Sequence, residues 1–386
     1  MAMLLSGSLL AAPADADAPF TVAPGLFDPS RPGDLGLEPA PGTQTFTIFA
    51  PDEDSDKFHN GAVLIGFKGR LYAQWQVSER DEDTADTWVA YSHSPDGENW
   101  APPAILSPRG DTATQMRSNG GWWTDGNVLV AFINVWPTGF QSGDGGYAEY
   151  SVSSDGTHWS PPKRVMGRDG QPVEGIIEQD PHHLPDGRIV TAFHLRPGMI
   201  VAPFHTDDPL AIGGWTRGRM ENLPHDGKVS RELEPSLFMR ADGCAVMVFR
   251  DQGESFRQLA SESCDRGESW TLPVLTGMPD SRSKQSAGNL PDGTAYLVNA
   301  PNDSRVRIPL TVTLGGNGRH FDRAFLLRGG DDLQPLRFEG RYKRPGYHYP
   351  KSIVWNGHLH VAYTTNKEDV QVTRVPLAAL TAAPQP

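Results

Sequence analysis

One unit recurs six times along this chain, a polar turn usually carrying Asp-Gly or Asn-Gly followed at once by a short apolar strand. The copies read FKGRLYAQW (67–75), TDGNVLVAF (124–132), PDGRIVTAF (185–193), ADGCAVMVF (241–249), PDGTAYLVN (291–299) and WNGHLHVAY (355–363). A second turn recurs between them as SPDGENW (94–100), SSDGTHW (153–159), SCDRGESW (263–270) and the degenerate GGNGRHF (315–321). Trp100, Trp159, Trp215, Trp270 and Phe321 stand 59, 56, 55 and 51 residues apart. A period of roughly 50–60 residues with three or four short strands per copy is the signature of a β-propeller. The fold class is therefore all-β, with six blades counted and seven as the alternative if one copy has diverged. The last copy offers three clear strands, SIVW, HLHVAY and VQVTRV. The early strand TQTFTIFA (43–50) is expected to complete that sheet and close the ring, since closure leaves no exposed edge.

The domain division follows from the repeats. Residues 20–386 are read as a single propeller carrying the catalytic function. Residues 1–19 hold a short apolar run, Met3 to Ala12, then small-residue sites such as Ala14-Asp15-Ala16. They read as a signal-peptide remnant or a disordered tail, with a periplasmic or secreted location expected. No apolar run approaches the ~18 residues of a spanning helix, so no membrane role is expected. With 34 Lys plus Arg against 47 Asp plus Glu, the net charge is −13, which repels nucleic acid and anionic lipid. Two cysteines, Cys244 and Cys264, flank a hairpin turning near Gly253, and a disulfide and two buried thiols both stay open. They are too few for a disulfide scaffold and show no metal-ligand spacing.

In a propeller the segment leading into the innermost strand of each blade lines the central mouth. Those segments offer Lys57, His59 and Asn60; Arg117, Ser118, Asn119, Trp122 and Trp123; Glu178, Gln179, Asp180, His182 and His183; Arg231, Glu232 and Glu234; Arg282, Lys284, Gln285 and Asn289; and Tyr347, His348, Tyr349 and Lys351. A cationic, histidine-rich rim on an acidic protein points to an anionic group, such as a carboxylate, held by Arg and Lys. Adjacent His182 and His183 face opposite ways on a strand, so at most one can enter the pocket. Trp122 and Trp123 are candidates to stack on sugar rings or to bury a face in the core. The RDEDTAD stretch (80–86) reads as a solvated loop. No HExxH, P-loop, GxGxxG or supported GxSxG motif appears.

The S-x-D-x-G-x-x-W turns read as structural: the Asp accepts backbone N–H bonds, the Gly permits positive φ and the Trp wedges between sheets. The pattern resembles the Asp-box of the sialidase superfamily from about residue 44 to 377. Together with HNGAVLIGFKGRLYAQW, DEDTADTWVAYSHSPDGENW and YHYPKSIVWNGHLHVAYTTNKEDVQVTRVPL, it looks like the sialidase-like propellers that act on uronic-acid glycans, ulvan lyases and enzymes cleaving rhamnose from glucuronate. True sialidases are similar in fold but rely on three arginines clamping a carboxylate, an Asp acid and a Tyr/Glu nucleophilic pair, with an N-terminal Arg-Ile-Pro. Here the only such tripeptide is Arg307-Ile308-Pro309, late in the chain, which makes sialidase activity doubtful.

The resemblance implies an oligo- or polysaccharide substrate, the cationic rim an anionic one, and a monomeric enzyme is expected. A lyase must take a weakly acidic proton from C5 of a uronate while its carboxylate is neutralised. The leading expectation is β-elimination at a rhamnose-glucuronate type linkage, with His59 or His182 as base, Arg231 and Arg282 as neutralisers and Tyr347 or Tyr349 as acid. Asn60, Asn119, Trp122, Trp123, His183, Glu234, Lys284, His348 and Lys351 are the expected substrate-binding residues. A glycoside hydrolase with a carboxylate pair drawn from Glu178, Asp180 and Glu234, and a non-catalytic glycan-binding propeller, are the alternatives. No cofactor is required, no metal ligands are assigned, and a structural Ca²⁺ stays open.

Overall fold

The computed structural model describes residues 18–178 and 181–381. Successive antiparallel sheets form six blades, each built from a meander of neighbouring strands. Blade 1 comprises Phe58–Phe67, Arg70–Ser78, Trp88–Ser94 and Ala104–Ser107. Blade 2 comprises Met116–Thr124, Leu129–Trp136, Tyr147–Ser153 and Lys163–Arg164. In blade 3 the innermost strand is broken into Gly175–Ile177 and His182–His183, both paired with Ile189–Leu195, and Ile200–Thr206 and Thr216–Arg217 follow. Blade 4 comprises Glu232–Met239, Ala245–Asp251, Arg257–Ser263 and Val274–Pro279. Blade 5 comprises Ser286–Asn289, Ala295–Asn299, Leu310–Gly315 and Arg323–Arg328.

Blade 6 closes the ring. Its inner strands are Tyr347–Trp355, His358–Thr365 and Asp369–Pro376, and its outermost strand is the N-terminal Gln44–Phe49, in register from Gln44↔Arg374 to Phe49↔Val370. Joining the first and last parts of the chain in one sheet leaves the ring without a seam. The all-β, six-bladed architecture expected from the repeats is the one the chain adopts, and the seven-bladed alternative is set aside.

Each pair of neighbouring blades shares an apolar layer. Trp75, Leu64 and Val372 pack between blades 6 and 1, Tyr72, Trp122 and Leu129 between blades 1 and 2, and Val190, Leu237 and Met247 between blades 3 and 4. The recurring turn aromatics are the wedges in these layers. Trp159 stacks obliquely on Trp122 at 5.8 Å and meets Tyr91 edge-on at 5.7 Å, so blade 2's turn is keyed into blade 1. In that turn Asp155 Oδ1 accepts the Thr157 and His158 N–H groups, both at 2.8 Å, and Ser153 Oγ accepts that of Gly156 at 2.8 Å. Those bonds hold the Asp155 carboxyl far below the usual range. The same arrangement recurs at Asp96 and Asp265. These turns join third to fourth strands, so they sit on the face opposite the mouth, as does the disulfide between Cys244 and Cys264, which ties the second and third strands of blade 4.

Candidate active site

Antiparallel geometry defines the mouth. The first strand of each blade starts at the rim and the second returns to it, so the beginning of one and the end of the other stand side by side. There the six blades enclose a central cavity of about 300 Å³.

Four of the innermost strands carry a β-bulge at the rim, between Asn60 and Val63, Asn119 and Gly121, Leu233 and Ser236, and His348 and Lys351. A bulge re-aims its side chain and terminates pairing, which is why such irregularities gather at sites. In blade 1 the left-handed bulge position is Gly61, at φ 67°. In blades 4 and 6 the corresponding residues are Glu234 at φ 53° and Tyr349 at φ 52°. A side chain in that conformation costs about 1–2 kcal/mol, so strain is spent at two positions where the side chain lines the cavity. Asp83 at φ 63°, Arg282 at φ 55° and Lys367 at φ 58° add three more strained lining residues.

The cavity wall is charged and uneven. Glu234 pairs with Arg250 at 3.2 Å, Glu178 with Lys284 at 2.7 Å, and Glu82 with Lys367. Arg282 and Arg305 share Glu254. Arg307 and Arg344 also line the cavity, and neither has a carboxylate partner among the described residues. Arg307 instead donates to His348 Nδ1 at 2.7 Å, and the His348 Nε2–H is bonded to the Arg344 carbonyl at 3.0 Å. That sandwich fixes His348 as a neutral ring, with burial and the Arg307 charge holding its pKa well below 6.5. Cations surround the Tyr349 ring, with Arg307 at 4.9 Å, Lys284 at 5.6 Å and Lys367 at 5.7 Å from its centre. Even so, burial and the Glu234 and Glu82 carboxylates push the phenol up to about 12. Asp83 is pushed up to about 7 by burial and by Glu82 beside it. The opposite side is apolar, with Met116, Trp136, Phe140 and Met199.

Of the residues expected at the mouth, Asn60, Asn119, Glu234, Arg282, Lys284 and Tyr349 line this cavity, with Ser118 and Glu178. The others do not. His59 is buried behind the rim, its Nδ1 accepting from Trp75 at 3.0 Å and its Nε2 bonded to the Asp56 carbonyl at 3.0 Å; burial drops its pKa to about 4. His182 lies between blades 3 and 4 beside Val190, Leu237 and Met247, with its pKa lowered to about 3 by burial. His183 is turned outward against Trp123, ring centres 4.5 Å apart. Arg231 is committed to Asp251 at 3.0 and 2.6 Å. Tyr347 is buried and donates its hydroxyl to the Gly329 carbonyl at 2.8 Å. Trp122 and Trp123 are buried between blades, donating to the Val63 and Pro209 carbonyls at 3.1 and 2.8 Å, so neither offers a stacking face. His348 and Lys351 are buried beneath the wall, outside the lining. Gln179 and Asp180 fall outside the described residues.

First strands supply only half of the rim. Gln76, Trp136, His194, Arg250 and Lys367 come from the ends or exits of second strands. The RDEDTAD loop is not merely solvated: Asp81 accepts the Arg341 and Tyr342 N–H groups at 2.9 and 3.0 Å, Glu82 bonds Asn60 at 2.8 Å, and Asp83 enters the cavity. Among the described residues no group of three or more His, Cys, Asp or Glu side chains is arranged to hold a metal ion.

A six-bladed ring with this keyed turn and a charged axial cavity is a sialidase-type propeller. Residues 69–361 match the BNR repeat-like domain, and the chain belongs to that family. Among solved structures it is similar to a sialidase (18% identity, TM-score 0.65), covering 93% of this chain and only 35% of that one. It is also similar to the Ruminococcus gnavus intramolecular trans-sialidase (13% identity, 91% and 99% of the two chains, TM-score 0.65). A third is the leech intramolecular trans-sialidase (12% identity, 88% and 71%, TM-score 0.65). At these identities the likeness establishes the fold. No curated protein sequence matches the chain.

Proposed function

We propose that the cavity is the active site of a glycan-processing enzyme, a glycoside hydrolase that releases a carboxylate-bearing sugar through a tyrosyl intermediate. Tyr349 is the nucleophile, Glu234 its base, and Asp83 the acid that protonates the leaving oxygen. Arg307, Arg344 and Arg250 receive the sugar's carboxylate. The observation that carries this reading is the pair of strained bulges, Glu234 and Tyr349, facing one cavity with Asp83 raised to about 7. A phenol suits a substrate that brings its own negative charge, because a carboxylate nucleophile would repel it, and a tyrosine nucleophile is the known exception to the two-carboxylate rule. A proton held at about 7 is available near neutral pH, where general acids work best. The solved neighbours include sialidases and intramolecular trans-sialidases, which supports a sialic-acid-like substrate.

Elimination on a uronate remains the second reading. It is favoured by one departure: blade 1 presents Asn60 to the cavity, and the chain's Arg-Ile-Pro arginine, Arg307, belongs to blade 5's side of the ring. The same arginines could neutralise a uronate, with Tyr349 passing its own proton to Glu234 and then taking the C5 proton, while Asp83 protonates the leaving oxygen. Incubation with 4-methylumbelliferyl sialoside and with rhamnose-glucuronate oligosaccharides separates the two. Released fluorophore without a rise in absorbance at about 235 nm supports hydrolysis, a rise without water addition supports elimination, and saturable binding with no product overturns both. A disulfide is formed in oxidising compartments, which supports a periplasmic or secreted setting; a monomer acting there on anionic glycans is part of the same proposal.

A further inference from the structure

We infer that His194 contacts the substrate, donating the hydrogen on Nδ1 to an acceptor oxygen of the bound sugar while its Nε2 holds the Glu234 bulge in place. This rests on reading the cavity as a glycosidase site and adds a residue outside the tyrosine, carboxylate and arginine set.

His194 is the last residue but one of the second strand of blade 3, opposite Ile176 in the broken first strand. It lines the cavity and is 1% exposed. The Glu234 backbone N–H points at its Nε2 from 3.3 Å. An N–H donor needs a lone pair at the acceptor, so Nε2 carries no hydrogen. In a neutral ring the hydrogen then sits on Nδ1. Burial keeps the ring neutral by lowering its pKa, against the pull of Glu178 and Glu234; Lys284 is the remaining charged neighbour and acts in the same sense as burial. Among the described residues Nδ1 itself has no hydrogen-bond partner.

A buried donor without a partner is unfavourable and uncommon in native proteins, and it needs an explanation from function or an occupant. The apolar side of the same cavity, with Met116, Trp136, Met199 and Leu233, supplies no side-chain acceptor. A hydroxyl or carbonyl oxygen of a sugar seated against that side would satisfy the N–H. The ring also joins two functions, since the Nε2 bond restrains the strained backbone of Glu234 from across the blade 3–4 boundary. His194 is a positioning residue toward Glu234 and a binding residue toward the ligand.

Two substitutions separate those roles. His194→Gln can place an amide oxygen near the Nε2 position, keeping an acceptor for Glu234 while removing the Nδ1 donor. His194→Asn keeps a donor near Nδ1 and cannot reach Glu234. With 4-methylumbelliferyl sialoside, the Gln variant is expected to raise KM about five- to tenfold with kcat within about twofold, and to weaken binding of 2,3-didehydro-2-deoxy-N-acetylneuraminic acid by the same factor. The Asn variant is expected to lower kcat with KM nearly unchanged. Wild-type KM and analogue affinity in the Gln variant would overturn the inference. Failure of the glycosidase reading looks different: the wild-type protein would neither turn over the sialoside nor bind the analogue. The ring is then judged by ¹⁵N NMR, where a proton on Nδ1 upholds the Nε2 bond to Glu234 and a free donor for another ligand, and a proton on Nε2, or on both nitrogens, overturns the inference.

Discussion

Replacing Asp83 with Asn should impair the chemistry while making the protein more stable at high pH, and the size of that gain follows from the site. The carboxyl has an ordinary value of 3.8 and is raised to about 7 in the folded protein by burial and by Glu82. A carboxyl raised on folding contributes its full stability below 3.8 and loses it as the pH climbs towards 7, because the folded state then holds a proton the unfolded chain has released. Each pH unit within that window is worth about 1.4 kcal/mol. Between pH 5 and pH 8, two units lie inside it, so the wild-type protein should lose roughly 2–3 kcal/mol that Asp83→Asn does not lose. For a domain of this size that is a widening gap in Tm of about 3–4 °C, read by scanning calorimetry across the pH series. Activity should fall about 10²–10⁴-fold in the same variant, since the amide cannot deliver a proton to the leaving oxygen. A stability difference independent of pH, or an Asn variant with wild-type turnover, would refute the reasoning.

Other perturbations probe separate parts of the molecule. Tyr349→Phe should lower kcat at least about a thousandfold with the fold retained by circular dichroism, because it removes the attacking oxygen and little else. Gly156→Ala should destabilise by about 2–4 kcal/mol in denaturant melts while sparing kcat, since its Cβ would lie 2.1 Å from the Tyr72 hydroxyl at φ 78° on the face away from the mouth. Cys244→Ser, or reduction, should cost about 3 kcal/mol of stability without changing KM, because the crosslink lies at the far end of blade 4. Arg344→Met should raise KM for an acidic sugar far more than for its methyl ester, measured on the two substrates side by side, because Arg344 lacks a carboxylate of its own.

The repeats made the architecture legible because each blade must solve the same local problem. An Asp-Gly turn, an apolar pair of strands and a wedging Trp leave traces in sequence at every copy, and even ring closure by residues 43–50 could be argued from the missing fourth strand. The site was legible only in part. Asn60, Asn119, Glu234, Lys284, Arg282 and Tyr349 were within reach because they start innermost strands. His59 and His182 stood equally well on that criterion, and nothing in their neighbourhoods reveals that Trp75 and the blade 3–4 layer would claim them. A bulge inverts which residue faces inward, so Tyr349 enters while Tyr347, two residues away, is buried against Gly329. Arg250, His194 and Lys367 were missed for a topological reason, since the end of each second strand shares the rim with the start of the first. Asp83 was hidden by composition: four acids within the seven residues 80–86 look like a solvated loop until the 341–342 segment and Lys367 supply partners for Asp81 and Glu82.

The central claim is that Tyr349 attacks the sugar and carries it covalently. 2,3-Difluorosialic acid, with which a Trypanosoma rangeli sialidase was captured as a covalent intermediate, provides the direct measurement. Brief incubation followed by peptide mass spectrometry should find the sugar adduct on Tyr349 and none in Tyr349→Phe. An adduct on Glu234 or Asp83, or release of product in water with no adduct on any residue while the substrate turns over, would contradict the account.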